Sequence, residues 1–181
     1  MNWSDESVEA RMREGWRGAR REGSPCGTGV LREHTASIRT RLPGLLRQYG
    51  IRSVCDAGAG DLCWARETLK DFDYRPFDLV SRRPEVTQLD ITKHALPECD
   101  AILCRAVLIH LDPLRIQRAL DLFRGSAKYL LASQYDVLNA FDPGTQFNPT
   151  NLIGAPYSLG KPLEQIPDLE GGVATLALWK I

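Results

Sequence analysis

The sequence predicts an α/β domain on a doubly wound, mainly parallel sheet of about six to seven strands, closed by an antiparallel C-terminal strand. Three observations carry this. From residue 51, short apolar runs alternate with stretches of helical period, the pattern of a parallel sheet flanked by helices. The first run, 53-SVCDA-57, passes at once into the turn 58-GAG-60. The chain ends in 173-VATLALWKI-181, a strand that can pair with a short one near 162–166.

With 181 residues the chain has room for one domain, 1–181, in which 1–30 forms an N-terminal helix and a substrate-side loop. A domain of this size buries roughly 70% of its unfolded surface, so it needs neither disulfides nor a structural metal. Basic and acidic residues balance at 23 each, which gives no broad electrostatic grip on DNA or anionic lipid. The five cysteines form no C-x-x-C pair and read as reduced thiols packed as small hydrophobes. No apolar run approaches the ~20 residues that cross a bilayer. The N-terminus has no apolar signal core. The expectation is a cytoplasmic protein without a membrane partner.

Residues 4–22 pattern as a charged helix, with Val8, Met12 and Trp16 in one narrow apolar stripe. Arg11, Arg13, Arg17, Arg20 and Arg21 crowd it, so it is either a solvated helix docked by its stripe or a basic lid for an anionic substrate. The loop 23-GSPCGTG-29 follows, then a helical pattern over 30–50. Pro43 should break or kink that helix or open a second one, and Gly50 should cap it. Strands are predicted at about 52–56, 74–80, 86–89, 100–105 and 127–132. Helices are predicted at about 61–70 and 112–124, the latter capped by Asp112 with Pro113 at its first position. Pro76 counts against the second strand unless it faces an edge. Residues 136–162 are rich in Pro, Gly and Asn and read as a long loop, which in a compact domain is usually functional or mobile.

The turn after the first strand raises the chemical question. Buried strands avoid unpaired carboxylates, yet Asp56 stands at the end of this one. In open parallel sheets, ligands bind beyond the carboxyl ends of the strands. There D-x-G-x-G presents bare backbone that a ligand can approach closely. A dinucleotide loop would carry a third glycine where this chain has Cys63, and Asp61 at the helix start would repel a pyrophosphate. A cationic ligand suits Asp56 and Asp61 better. Asp78, 22 positions after Asp56, is placed to accept both hydroxyls of a ribose. Asp90 closes the next strand.

The order CDAGAGD, then FD, then LDI, then 100-DAILCRAVLIHL-111 resembles the class I S-adenosylmethionine-dependent methyltransferases, a Rossmann-like fold. The segment from Gly23 to Asp61, with LCR and the terminal LALWKI, is similar to a group of small members of that class. The resemblance implies S-adenosyl-L-methionine as cofactor. It places Asp56, Ala57, Gly58 and Gly60 in the cofactor loop and Asp78 with Leu79 on the ribose. It puts Asp90 and Ile91 on the adenine side, and Cys104 and Arg105 where cofactor and substrate meet. The chain departs from the pattern at Leu62, where a further glycine is common, at Pro76, and in lacking a clear helix between the fifth and sixth strands.

On the substrate side, His110 is either a general base or a ring satisfied locally. Arg105 either anchors an anionic group or pairs with an aspartate. His34 is a weaker candidate base, His94 reads as surface, and Gln134 and Tyr135 stand where they can line a pocket. No D-P-P-Y or N-P-P-Y follows the fourth strand, and Cys26 lies in the wrong place for a Pro-Cys nucleophile. The expected activity is methyl transfer to a small polar or sugar-like acceptor. A catalytically weak binding or regulatory module and a nucleic-acid methyltransferase are the alternatives. No metal is called for.

Overall fold

The computed structural model describes residues 26, 33–145, 147–168 and 174–181. The predicted helix at 4–22 and all of the loop at 23–29 except Cys26 lie outside the described residues. Seven strands form one sheet: β1 (Ser53–Ala57), β2 (Asp73–Asp78), β3 (Thr87–Gln88), β4 (Cys99–Cys104), β5 (Ala127–Gln134), β6 (Glu164–Asp168) and β7 (Ala174–Lys180). Their spatial order is β3-β2-β1-β4-β5-β7-β6. The first five are parallel, and β7 runs antiparallel to both β5 and β6. The strand order reverses between β1 and β4, the switch point at which such sheets open a ligand crevice.

Side chains alternate across the sheet and build a core on each face. Cys55, Ala57, Ile102, Cys104, Leu130 and Trp179 pack under helix α3 (Pro113–Arg124). Val54, Leu103, Leu131 and Leu176 pack under helix α1 (Ala36–Gln48) through its Ile38, Leu42, Leu45 and Leu46. This is the period-2 rule meeting the helical stripe.

Helix α1 runs through Pro43 as one continuous element, so the expected break or second helix does not occur. It ends as expected at Gly50 (φ +67°), with the Gly50 N–H on Arg47 O and the Ile51 N–H on Leu46 O, a Schellman close. Asp112 caps α3 by accepting from the Arg115 N–H at 2.9 Å, with Pro113 opening the helix. The predicted helix at 61–70 shrinks to α2 (Ala65–Thr68), because Leu62 takes a left-handed φ of 64° that no helix can include. Pro76 does sit in β2. The Asp73 N–H points to β1 through Arg52 O, so alternation turns the Pro76 nitrogen to the other side, where β3 has not yet begun.

Between β5 and β6, residues 135–163 contain no helix or strand among the described residues. Side chains hold the segment instead. Asn139 bonds to the backbone of Asn151 and Ala155, and Asn148 to that of Asp142. No helix of the described residues is long and apolar enough to cross a membrane.

Candidate functional site at the carboxyl edge of the sheet

Asp56 is 3% exposed at the end of β1. Its Oδ2 accepts a 2.6 Å hydrogen bond from the Tyr74 hydroxyl. Tyr74 stands opposite Val54 on β2, so alternation brings it to the face of Asp56, one diagonal away. Asp56 Oδ1 has no partner among the described residues. Burial pushes the Asp56 carboxyl up to about 7; the Tyr74 bond opposes this, and the neighbouring Asp78 charge adds to it.

The turn beyond Asp56 is built by backbone geometry. The Gly58 and Ala59 N–H groups both donate to Phe77 O, which ties the loop to β2. Gly58 has φ +107°, and a Cβ added there would lie 2.1 Å from Val107 Cγ2. Only glycine lets the segment after β4 come so close. Gly60 has φ +60°, and its added Cβ would meet Cys26 Sγ at 2.9 Å. The Gly60 N–H donates to Asp78 Oδ2 at 2.9 Å, and the Val80 N–H donates to Asp78 Oδ1 at 3.0 Å. These bonds fix the Asp78 carboxylate and leave each oxygen a further lone pair. Burial raises the Asp78 pKa, and the same backbone donors resist the rise.

Asp90 follows at the next strand end, because the Leu89 N–H donates to Asp78 O at 2.8 Å. Asp90 Oδ1 accepts from Thr92 N–H and Oγ1, and Lys93 lies at 3.3 Å from Oδ2. Burial favours its neutral form, but the Thr92 and Lys93 bonds outweigh burial and hold it below the ordinary carboxylate value. Ala57, Ile91 and Cys104 are buried in the core under α3, so only their backbone belongs to the edge. Leu79 is half-buried between Asp78 and Val80.

Arg105, one residue past β4, adopts the aspartate pairing. Its Nε and Nη2 donate to Asp168 at 2.7–3.1 Å, with both side chains at most 5% exposed. Its guanidinium also lies 5.5 Å from the Trp64 ring centroid. The bond crosses from β4 over β5 and β7 to the end of β6. His110 is the last residue of a single 3-10 turn, Leu108–His110, and is half-buried on the segment between β4 and α3. Gln134 is turned inward and holds Asn151 and Leu152, and the Tyr135 ring meets Phe147 edge-on at 5.9 Å. Cys26 and Cys63 flank Asp61, and burial followed by the Asp61 charge pushes their thiols up to about 11 and about 12. Such thiols are poor nucleophiles.

The structure thus bonds Gly60 to Asp78, ties Gly58 to the end of β2 through Phe77 O, and places Asp56 at the neighbouring strand end on Tyr74, with Asp90 at the strand end beyond. Sequence reasoning missed Tyr74, Val107, Trp64 and Asp168. An aromatic two residues before Pro76 was the only available signal for Tyr74, and it needed the β1–β2 register to be read.

No protein-family model matches the chain, and comparison with curated proteins finds no relative. Solved structures do match. Magnesium protoporphyrin IX methyltransferase (ChlM) from Synechocystis PCC 6803, with SAM bound, is 14% identical, with 99% of this chain and 98% of that one covered at a TM-score of 0.66. The PH0226 protein from Pyrococcus horikoshii OT3 is 13% identical, with 92% and 99% covered at 0.63. The methyltransferase domain of the bacterial protein CtHen1-CN is 15% identical, with 80% and 98% covered at 0.57. The chain has the Rossmann-like fold of the S-adenosylmethionine-dependent methyltransferases.

Proposed function

We propose that the chain is an S-adenosylmethionine-dependent methyltransferase. One observation carries the reading: Asp56 Oδ1, a carboxylate oxygen on a 3% exposed side chain at the switch point, has no donor among the described residues. A buried carboxylate raised to about 7 is short of positive charge. A ligand carrying a sulfonium and an ammonium group supplies it, and a pyrophosphate does not. Asp78 fits the same ligand, since its free lone pairs can accept two ribose hydroxyls. Asp90 and the Ile91 backbone serve the adenine side, and Leu79, Ala57 and Cys104 shape the floor.

When bound, the cofactor supplies a methyl group already activated on sulfur. The chain's own residues then have little bond chemistry to perform. They align the acceptor and exclude water, and alignment supplies roughly 7–11 kcal/mol. Val107, in contact with the cofactor loop, is the wall against which the acceptor is placed. His110 is the candidate base for an oxygen or nitrogen nucleophile. Arg105 acts on the site by bracing the edge with Asp168.

The acceptor is a small molecule in this reading, sugar-like or otherwise polar at the methylated atom. Nucleic acid is less favoured because the charge balance is even. The test is calorimetry with S-adenosylhomocysteine on the whole chain and on Asp56→Ala. Heat of binding from the wild type, sharply reduced in the variant, is expected. No heat from a folded wild-type protein would sink the reading.

A further inference from the structure

A cavity of about 130 Å³ lies between the start of α3 and the segment after β5. Leu111, Ile116, Phe141, Pro149, Pro156 and Tyr157 form most of its wall. Four side chains with polar atoms also line it; three are already engaged, and the fourth, Tyr157, brings a single hydroxyl to an otherwise apolar wall. Asn139 Oδ1 accepts from the Asn151 N–H, while its Nδ2 donates to Asn151 O and Ala155 O. Asn148 Oδ1 accepts from the Asp142 N–H, and Thr150 Oγ1 donates to Asn148 O. A sugar placed here would lose water and find these groups committed, a cost of about 1–3 kcal/mol for each unpaired hydroxyl. An apolar ring would lose nothing. Apolar cavities of about 150 Å³ accept benzene-sized rings.

The cavity is tied to the cofactor edge by one short stretch of chain. In residues 106–111, Val107 abuts the place of a Gly58 Cβ, the Asn148 N–H grips Ile109 O at 2.8 Å, His110 follows, and Leu111 lines the cavity. Both α3's first turn and the exit of β5 stand at the carboxyl edge of the sheet. Leu114 and Leu138, sequence neighbours of the lining residues Pro113 and Asn139, are 62% and 95% exposed.

We infer that this cavity seats an apolar, ring-sized portion of the methyl acceptor, so that the substrate is an amphipathic aromatic or alicyclic compound rather than a free sugar. The inference rests on the methyl-transfer reading for the role of the occupant. The polar atom to be methylated would then project past His110 towards Val107 and the cofactor loop.

The test uses the full chain with indole as probe and methyl glucoside as control, read by methyl NMR of labelled isoleucines. Indole is expected to shift Ile116, which lines the cavity, and to leave Ile51, on the opposite face of the sheet, in place. Methyl glucoside should shift neither. Saturating S-adenosylhomocysteine should not displace indole. Ala140→Leu, an exposed lining position whose change leaves the core intact, should weaken indole binding at least tenfold and leave S-adenosylhomocysteine affinity unchanged. Indole binding that ignores Ala140→Leu, or full displacement by S-adenosylhomocysteine, would overturn the inference. If indole binds as expected but calorimetry shows no S-adenosylhomocysteine binding, the methyl-transfer reading fails, and the acceptor role falls with it.

Discussion

The Tyr74 hydroxyl donates to Oδ2 of Asp56 at 2.6 Å, a bond between adjacent parallel strands at the rim of the sheet. It is the donor the described residues give to a carboxylate that burial lifts to about 7.

A pH-dependent stability follows. Asp56 titrates near 7 in the folded chain and near 3.8, its ordinary value, when unfolded. Because the folded value is the higher, the benefit of protonated Asp56 is complete below about pH 4 and is lost as pH rises to 7 and beyond. At about 1.4 kcal/mol per unit, the loss is roughly 2–4 kcal/mol. Asp56→Asn should therefore gain on the wild type between pH 4 and 8. Parallel urea titrations of the two proteins across that range check this; identical curves at every pH would contradict it.

Asp78 should matter more to the ligand than to the fold. Hydrogen bonds to a charged acceptor contribute about 1.5–3 kcal/mol each. Loss of the two ribose bonds proposed for Asp78 should therefore weaken S-adenosylhomocysteine binding by about a hundredfold or more in Asp78→Ala. Asp78→Asn, which keeps an acceptor oxygen, should fall between. Isothermal calorimetry distinguishes the three proteins.

Gly58→Ala should destabilise the chain by about 2–4 kcal/mol, combining a left-handed backbone cost with overpacking against Val107. Adding Val107→Ala removes the methyl that clashes and should recover only the packing part. A double-mutant cycle by chemical denaturation measures the coupling; simple additivity would show that Val107 is not the obstacle.

The Arg105–Asp168 pair should behave as a buried ion pair. Asp168→Ala leaves a buried guanidinium without its carboxylate and should cost about 3–5 kcal/mol. The double replacement Arg105→Met with Asp168→Leu should cost less than that single change. Thermal unfolding of the set provides the comparison.

The sheet was legible because its strands are apolar runs cut by turns, and the acids at their ends stand out against them. Asp56, Asp78 and Asp90 fall at strand ends for that reason. The short α2 was not legible, since Leu62 takes a conformation that its residue type does not announce. Pro43 misled in the other direction, because tertiary packing of Leu42, Leu45 and Leu46 holds the helix together across a lost backbone bond. The pairing of Arg105 with Asp168 spans 63 positions and depends on β7 and β6 being stacked in reverse order beside β5. No local pattern encodes such a contact.

Val54 faces Tyr74 and Asp56 faces Pro76. A slip of one residue between these two strands would turn the phenol to the far side of the sheet and carry Asp78 with it. The fit that packs the middle of this protein is thus the same fit that gives its rim a chemical preference. A substitution in β1 or β2 that shifts this pairing would therefore disturb the packed interior and the rim's chemistry in the same step.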